Sequence, residues 1–406
     1  MKFYIKTFGC RVNQIESESV AEELIKCGIY YDEKNFDILI INSCCVTEKT
    51  EKEIIKYIKK SLELKPFIQI IVTGCFATVF KEKIEEISKN IKIFSNSNKS
   101  DIIKTLTGKE TNRLFRIEGF KSRTRAFVKV QDGCDLRCSY CIVPIARNEM
   151  ISKPLSNAVE EINNLVLKGY KEIVLSGTRL GAYDDEGKRL NHLLKKIADI
   201  KGNFRIRLSS LEPMEINEEL CEICSDSSRF CSYFHIPLQS GSDEVLKKMR
   251  RPYNINFFSN KLDLIRKKIK DVGIYSDVIV GFPGESEKDF LNSVNFIKQA
   301  ELSGLHVFTY SKRPKTESFY MEDLGYEVKK KRSQIMHDLD KELRKNFGLK
   351  MIGKNIDSVV IREKKGVFWA LTSNFLEVSL KNKAEVNARA DVTITDFKNG
   401  IVYGEL

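Results

Sequence analysis

Three cysteines near the middle of the chain are spaced closely enough to bind one small metal cluster. Cys134, Cys138 and Cys141 follow a C-x3-C-x2-C pattern directly after an apolar run that ends at Gln131. A [4Fe–4S] cluster normally takes four thiolates, so three of them leave one iron open for another ligand. Zinc would want a fourth cysteine or histidine, and none lies within forty residues on either side. The spacing therefore predicts an iron–sulfur cluster with an open iron.

A second set of cysteines is scattered in sequence but follows a common pattern. Cys10, Cys44 and Cys75 each come directly after an apolar run that is typical of a strand. Because the carboxyl ends of parallel strands lie along one edge of a sheet, these thiols can converge on a second cluster. Burial of cysteine as a small apolar residue explains the same pattern equally well. Cys45 adds an ambiguity, since neighbouring side chains on a strand point in opposite directions.

The first hundred residues alternate apolar and charged runs, which predicts strands and helices in turn. This rhythm is typical of a parallel sheet flanked by helices, so we expect an α/β domain over residues 1–110. The predicted strands are Lys2–Phe8, Asp37–Asn42, Ile68–Thr73 and Ile91–Phe94, and the predicted helices are Ile15–Cys27, Glu48–Leu64 and Lys81–Lys89.

The alternation resumes over residues 113–346 and gives six β/α units, which suit a partial (β/α)6 barrel. Its predicted strands are Ala126–Gln131, Glu172–Ser176, Arg205–Ser209, Tyr233–Pro237, Tyr275–Gly281 and Leu305–Tyr310. Residues 349–406 contain short strands between polar turns, so we expect a small C-terminal β-barrel and an α/β fold class for the whole chain. The predicted C-terminal strands are Ile356–Arg362, Gly366–Leu371, Phe375–Leu380, Glu385–Ala390 and Ile401–Glu405.

Composition narrows the class of protein. The 406 residues carry a formal net charge of +12, which suits a polyanionic partner. Runs of basic residues are also common on solvated helix faces, so the charge alone does not identify such a partner. No run approaches the roughly 18 apolar residues that span a bilayer, and the N-terminus lacks a signal-peptide core. We therefore expect a cytoplasmic protein with no membrane partner. Eleven cysteines in that compartment favour metal chemistry over disulfides.

The central triplet and its surroundings resemble the radical S-adenosylmethionine superfamily, and three N-terminal stretches resemble the cluster motifs of its methylthiotransferases. Matching by residue type assigns the ligand to Cys44 and places Cys45 where that family usually has threonine. The C-terminal segment is similar to the family's RNA-binding TRAM module, so the resemblance covers essentially the whole chain. The stretches are Lys6–Gln14, Ile41–Thr47, Thr73–Cys75, Leu175–Gly181, Arg207–Pro213, His235–Ser242 and Val280–Glu285.

The resemblance implies two [4Fe–4S] clusters, each held by three cysteines. The ligands are Cys134, Cys138 and Cys141 for the cluster that binds S-adenosylmethionine, and Cys10, Cys44 and Cys75 for an auxiliary cluster. It also implies two molecules of S-adenosylmethionine per turnover and an electron donor such as flavodoxin or ferredoxin, whereas the sulfur donor stays unidentified. The residues expected to contact S-adenosylmethionine are Tyr140, Ser176, Gly177, Thr178, Gln239 and Gly281.

Methylthiotransferases divide by substrate into three branches. The runs Leu208–Pro213 and Val307–Pro314 look most like the branch that acts on threonylcarbamoyladenosine at position 37 of tRNA. This implies insertion of sulfur and a methyl group at C2 of the adenine, where a radical is needed because no base at neutral pH usefully removes that proton. The alternatives are isopentenyladenosine in tRNA, an aspartate of a ribosomal protein, and an RNA-binding protein with purely structural clusters.

Two further patterns bear on these predictions. The family often has a Gly- and Arg-rich stretch after the cluster loop, whereas this chain has Asn148 and Glu149 there, which leaves the path of that loop open. Separately, Cys221, Cys224, Cys231 and His235 have a spacing that imitates a zinc site. We expect these residues to pack in the core instead, because Cys221 and Cys224 lie on the apolar face of a predicted helix and His235 lies in a predicted strand.

Overall fold

The structure is a computed structural model that describes residues 1–111, 116–120, 124–226 and 228–406. The chain divides into two compact units. Unit 1 comprises residues 1–118, 131–151 and 311–319, and unit 2 comprises residues 119–130, 152–310 and 320–406. Both cysteine triplets therefore belong to unit 1, although more than fifty residues separate Cys75 from Cys134 in the sequence.

Unit 1 contains a five-stranded parallel sheet in the order β2-β1-β3-β4-β5, as the βα alternation predicted. The central strand β3 is buried along its whole length because helices cover both faces. The strands are β1 Lys2–Thr7, β2 Tyr30–Tyr31, β3 Ile38–Ser43, β4 Gln69–Gly74 and β5 Lys92–Ile93, and the helices are α1 Arg11–Lys26, α2 Glu48–Leu64, α3 Cys75–Val79, α4 Lys81–Glu85 and α5 Asp101–Thr107.

The cluster loop begins at the end of β6, Arg125–Asp132, and leads through a short helix, α6 Val143–Ala146, to β7 Ile151–Ser152. The remaining strands of the barrel region are β8 Glu172–Gly177, β9 Asp184–Asp185, β10 Lys188–Arg189, β11 Arg205–Leu208, β12 Tyr233–His235, β13 Gly273–Val280 and β14 Gly304–Thr309. They form one sheet in the order β11-β8-β6-β7, another in the order β12-β13-β14, and a small β9-β10 pair. The strands β6, β8, β11, β12, β13 and β14 correspond to the six predicted barrel strands and confirm the predicted partial barrel.

Helices connect the barrel strands. They are α7 Leu155–Leu167, α8 Leu190–Ala198, α9 Glu218–Cys224, α10 Asp243–Lys248, α11 Ile255–Lys268, α12 Glu287–Gln299 and α13 Tyr326–Lys350, with 3₁₀ turns at Leu180–Ala182, Pro213–Glu215 and Glu317–Tyr320. The helix α13 has 25 residues but is rich in charge. Across the described ranges, no helix combines the length and the apolar character that crossing a bilayer requires.

The C-terminal segment closes into a five-stranded barrel in the order β15-β16-β17-β19-β18. Its strands are β15 Asn355–Lys364, β16 Val367–Thr372, β17 Glu377–Leu380, β18 Arg389–Lys398 and β19 Ile401–Glu405. The predicted strand Glu385–Ala390 is wrong, because the observed strand begins only at Arg389. Asn387 has a left-handed φ of +74°, which breaks the extended backbone. The core-facing residues Val392 and Ile394 lie beyond it and are fully buried.

A buried ion cluster joins this barrel to the rest of unit 2. Arg205 donates to Glu172 Oε2 at 2.7 Å and to Asp357 Oδ2 at 2.8 Å. Arg207 donates to the same glutamate and to the carbonyl oxygens of Thr372 and Ser373, each at 2.9 Å. Charges so fully desolvated are tolerated only when every donor and acceptor is matched. The C-terminal barrel thus supplies part of the counter-charge for the barrel core.

Candidate functional site

Cys10, Cys44 and Cys75 lie at the carboxyl edge of the unit 1 sheet, just beyond the adjacent strands β1, β3 and β4. Ser43 pairs with Gly74, so Cys44 and Cys75 leave the sheet at the same level. Cys10 occupies the N-cap position of α1. The three thiols interact electrostatically with one another, because a charge on Cys75 disfavours ionisation of Cys10 and of Cys44. The fold therefore brings together three residues that are far apart in sequence.

Cys44 and Cys45 have different surroundings. Cys44 packs against the backbone of Gly9, where an added Cβ would lie 2.8 Å from the Cys44 sulfur. Cys45 is fully buried in the apolar core that also contains Leu39. The interaction of its thiol with that of Cys75 raises the pKa of Cys45 and lowers the pKa of Cys75. Cys45 is therefore a close neighbour of Cys75 as well as a member of the apolar core that contains both residues.

A buried guanidinium faces the same three thiols. Arg147 donates to Glu16 Oε1 at 2.8 Å, to both oxygens of Asp132 at 2.8 Å and to Asn13 Oδ1 at 2.9 Å. Desolvation raises the pKa of Cys44 to about 12, and the positive charge of Arg147 opposes that rise. The same charge acts on Cys10 and Cys75. Since thiolates are the metal-binding form of cysteine, this charge favours ligation.

Cys134, Cys138 and Cys141 lie on a loop that closes on itself. The Cys134 N–H donates to the carbonyl oxygen of Arg147 at 3.4 Å, and the Cys141 N–H donates to that of Cys138 at 3.0 Å. Gly133 has a φ of +82°, and an added Cβ there would lie 2.0 Å from the carbonyl oxygen of Glu149. The backbone of Glu149 thus fixes the start of the loop. Its side chain is exposed, as is that of Asn148, so this departure from the family pattern leaves the loop closed.

Asn96 contacts both Cys75 and the short helix α6 that follows the cluster loop, all within unit 1. Its Nδ2 donates to the carbonyl oxygen of Ala146 at 2.8 Å and lies 3.5 Å from the sulfur of Cys75. The helix carrying Cys75 and the helix that follows the cluster loop share one apolar core. Sequence reasoning missed Asn96, because it sits in a polar run with no distinguishing pattern. The buried partners of Arg147 had no sequence signal either, because they come from distant segments of the chain.

Neither cysteine triplet has the shape of a mononuclear metal site. Ligands of tetrahedral zinc at about 2.3 Å lie roughly 3.8 Å from one another. Among the residues that the structure describes, no three cysteine sulfurs lie within 4.8 Å of each other. A cubane cluster binds each thiolate through a separate iron and therefore accepts a wider triplet. Neither described triplet therefore has the close spacing of a tetrahedral zinc site.

The residues predicted to contact S-adenosylmethionine from unit 2 lie at or just beyond the carboxyl ends of barrel strands. They are Ser176, Gly177, Thr178, Gln239 and Gly281. The remaining predicted contact, Tyr140, is a half-buried residue of the cluster loop in unit 1.

Two buried hydroxyls support a ligand at this strand edge. The hydroxyls of Ser176 and Ser209 lack a hydrogen-bond partner among the described residues. Leu175 pairs with Leu208, so the two serines follow one another at the same level of adjacent strands. Buried polar atoms are rarely left unsatisfied, and a polar ligand would satisfy these two. Ser209 was not among the predicted contacts.

Comparisons with known proteins agree with this geometry. Residues 128–297 match the model described as the radical SAM superfamily, and residues 2–95 match one described as uncharacterized protein family UPF0004. The structure is similar to that of the radical S-adenosylmethionine methyltransferase TsrM from Kitasatospora setae, with a TM-score of 0.55 and 13% identity over 78% of this chain and 76% of that one. At that identity the likeness shows the fold alone.

Two relatives match over nearly their full length. A threonylcarbamoyladenosine tRNA methylthiotransferase of Thermotoga maritima is 39% identical over 86% of this chain and 84% of its own. A tRNA-2-methylthio-N(6)-dimethylallyladenosine synthase of Thermotoga petrophila is 31% identical over 100% of this chain and 97% of its own. With two cysteine triplets and a partial barrel in place, the chain belongs to the methylthiotransferase family of radical S-adenosylmethionine enzymes.

Proposed function

We propose that this chain adds a methylthio group to C2 of threonylcarbamoyladenosine at position 37 of tRNA. The observation that carries the proposal is the 39% identity to a relative with that activity in its name, over most of both chains. The dimethylallyladenosine relative is less similar, at 31%. Family membership implies S-adenosylmethionine and a [4Fe–4S] cluster as cofactors and tRNA as the substrate.

In this proposal, Cys134, Cys138 and Cys141 hold the cluster whose open iron binds S-adenosylmethionine. Once bound, these cofactors supply an organic radical that can open an aromatic C–H bond, with an electron from a flavodoxin or ferredoxin. The protein binds and orients the cofactor through Tyr140, Ser176, Gly177, Thr178, Gln239 and Gly281. The unsatisfied hydroxyl of Ser176 supports this assignment.

We assign Cys10, Cys44 and Cys75 as ligands of an auxiliary [4Fe–4S] cluster. Their position at one sheet edge supports the assignment, as does the positive charge of Arg147, which favours the thiolate form of all three. Cys44 and Cys75 are buried, so the surrounding protein excludes water from most of the set. By resemblance to the methylthiotransferases, a cluster at this position presents the sulfur that is inserted.

Mass spectrometry of tRNA nucleosides from cells that lack the gene tests the proposed substrate. We expect 2-methylthio-threonylcarbamoyladenosine to disappear and its unmodified precursor to accumulate. Loss of a methylthio-isopentenyladenosine signal instead would favour the other tRNA branch, and an unchanged nucleoside profile would refute action on tRNA.

Complementation identifies the residues responsible. The wild-type gene should restore the modified nucleoside, whereas Cys134→Ala and Cys75→Ala variants should not. Cys27→Ser is the matched control, because Cys27 lies outside both triplets at the end of α1. Restoration by Cys134→Ala would contradict the assigned cluster.

A further inference from the structure

Three polar side chains of unit 2 share one face of the β12-β13-β14 sheet. Asp277 pairs directly with His306, and His235 pairs with Tyr275, two residues before Asp277. Because side chains alternate between the faces of a strand, His235, Asp277 and His306 must project from the same side. The proposed function uses none of them.

Their ligand atoms converge. His235 Nε2 lies 2.7 Å from Asp277 Oδ1, and His306 Nδ1 lies 3.3 Å from the same oxygen. One ligand atom from each of the three residues falls within 4.8 Å of the other two, and no other such group of three occurs in the described ranges. The side chains are 16%, 18% and 39% exposed for His235, Asp277 and His306, so an ion from solution can reach them.

We propose that His235, Asp277 and His306 bind one divalent transition-metal ion such as Zn²⁺. Ligands of tetrahedral zinc at about 2.0–2.1 Å lie roughly 3.3 Å apart. The 3.3 Å separation equals this value and the 2.7 Å separation is shorter by about 0.6 Å, so small side-chain rotations complete the site. Two histidines and one carboxylate leave a fourth position open for an oxygen ligand.

His235 also belongs to the zinc-like sequence pattern Cys221, Cys224, Cys231 and His235, but the three cysteines of that pattern lie in other surroundings. Cys221 and Cys224 are buried on α9, and burial raises the pKa of Cys221 to about 11. The Cys231 sulfur lies 3.9 Å from Glu172 Oε2, and among the described residues His235 groups with Asp277 and His306. His235 therefore joins a metal site that only the strand register reveals.

Equilibrium dialysis of the anaerobic, cluster-loaded protein against Zn²⁺, followed by zinc and iron analysis, tests this site. We expect about one zinc equivalent in the wild type, as for a three-residue site. Asp277→Asn and His306→Phe should remove it without changing the iron content. His337→Gln is the matched control and should keep the zinc, since His337 is an exposed histidine of α13.

Equal zinc in the wild type and both site variants would overturn the proposal, as would no zinc in a wild type with full iron content. Loss of zinc in Cys224→Ser but not in His306→Phe would favour the cysteine spacing instead. Circular dichroism of each variant excludes misfolding as the cause. The readout is metal content, so the result is independent of whether the proposed tRNA substrate is correct.

Discussion

At the scale of single residues, the adjacent Cys44 and Cys45 lead to a sharp prediction. Cys44 packs on Gly9, beside Cys10, whereas Cys45 lies in the apolar core. Replacing Cys44 by alanine should lower the iron content after anaerobic reconstitution from about eight to about four atoms per chain, since one [4Fe–4S] cluster is lost. Cys45→Thr should keep about eight, because threonine is close to cysteine in size and carries a hydroxyl where the thiol interacts with Cys75. The opposite pattern in an iron and sulfide analysis would transfer the ligand role to Cys45.

Arg147 gives a second prediction at the same scale. Replacing it with methionine leaves the carboxylates of Glu16 and Asp132 without the guanidinium that both accept from. Breaking a buried ion pair by removing one partner costs about 3–5 kcal/mol, so urea denaturation should show a loss of that order in the free energy of unfolding. Lys81→Met is the control, because Lys81 and Glu85 form an exposed pair. Such pairs contribute less than about 1 kcal/mol, and equal losses in the two variants would contradict the buried cluster.

Buried partners of this kind were the part of the site that the sequence did not reveal. The triplet at Cys134, Cys138 and Cys141 was predictable because its spacing is local. Arg147 and Glu16 are 131 residues apart, and nothing in either segment identifies the other. His235 and His306 likewise become neighbours only through the pairing of three strands. Residue type and spacing reveal a ligand set, whereas long-range charge pairing depends on the tertiary fold.

At the scale of elements, the turn from β4 into α3 positions Cys75. Gly74 has a φ of +96°, and an added Cβ would lie 2.3 Å from the carbonyl oxygen of Ser43. Gly74→Ala should therefore shift the start of α3 and release the auxiliary iron, with a strain cost of about 1–3 kcal/mol. Iron analysis and the melting temperature measure both effects. Gly325→Ala should change neither, because nothing lies within 4 Å of the Cβ it would gain. Full iron in Gly74→Ala would show that the turn tolerates a side chain.

Element prediction succeeded where periodicity was long and regular. The helix Glu48–Leu64 was predicted with the boundaries observed, since its apolar stripe continues over 17 residues. The helix α3, Cys75–Val79, was not predicted, because five residues are too few to establish a period. The first helix begins at Arg11, before the predicted start at Ile15, because its first turn contains a single apolar residue, Val12, which is too few to show a period.

At the scale of the whole molecule, the C-terminal barrel belongs to the same compact unit as most of the radical enzyme core. The contact between them depends on charge as well as on apolar packing. Arg205 and Arg207 are fully buried, and both use Glu172 together with main-chain oxygens at the end of β16. Arg205 and Arg207 belong to the radical enzyme core, and an independent RNA-binding module would not need to accept their hydrogen bonds. The barrel therefore stabilises the core in addition to any role in binding tRNA.

Glu172→Gln tests this coupling, because it leaves two buried guanidiniums around a neutral amide. A loss of about 3–5 kcal/mol in the free energy of unfolding is expected. Limited proteolysis should also release the C-terminal barrel faster from this variant, since the C-terminal barrel then separates more often from the rest of unit 2. Glu377→Gln removes an exposed pair with Arg362 and should leave both measurements nearly unchanged. If Glu172→Gln unfolds and is cleaved like the wild type, the charge of Glu172 contributes no net coupling between the C-terminal barrel and the core.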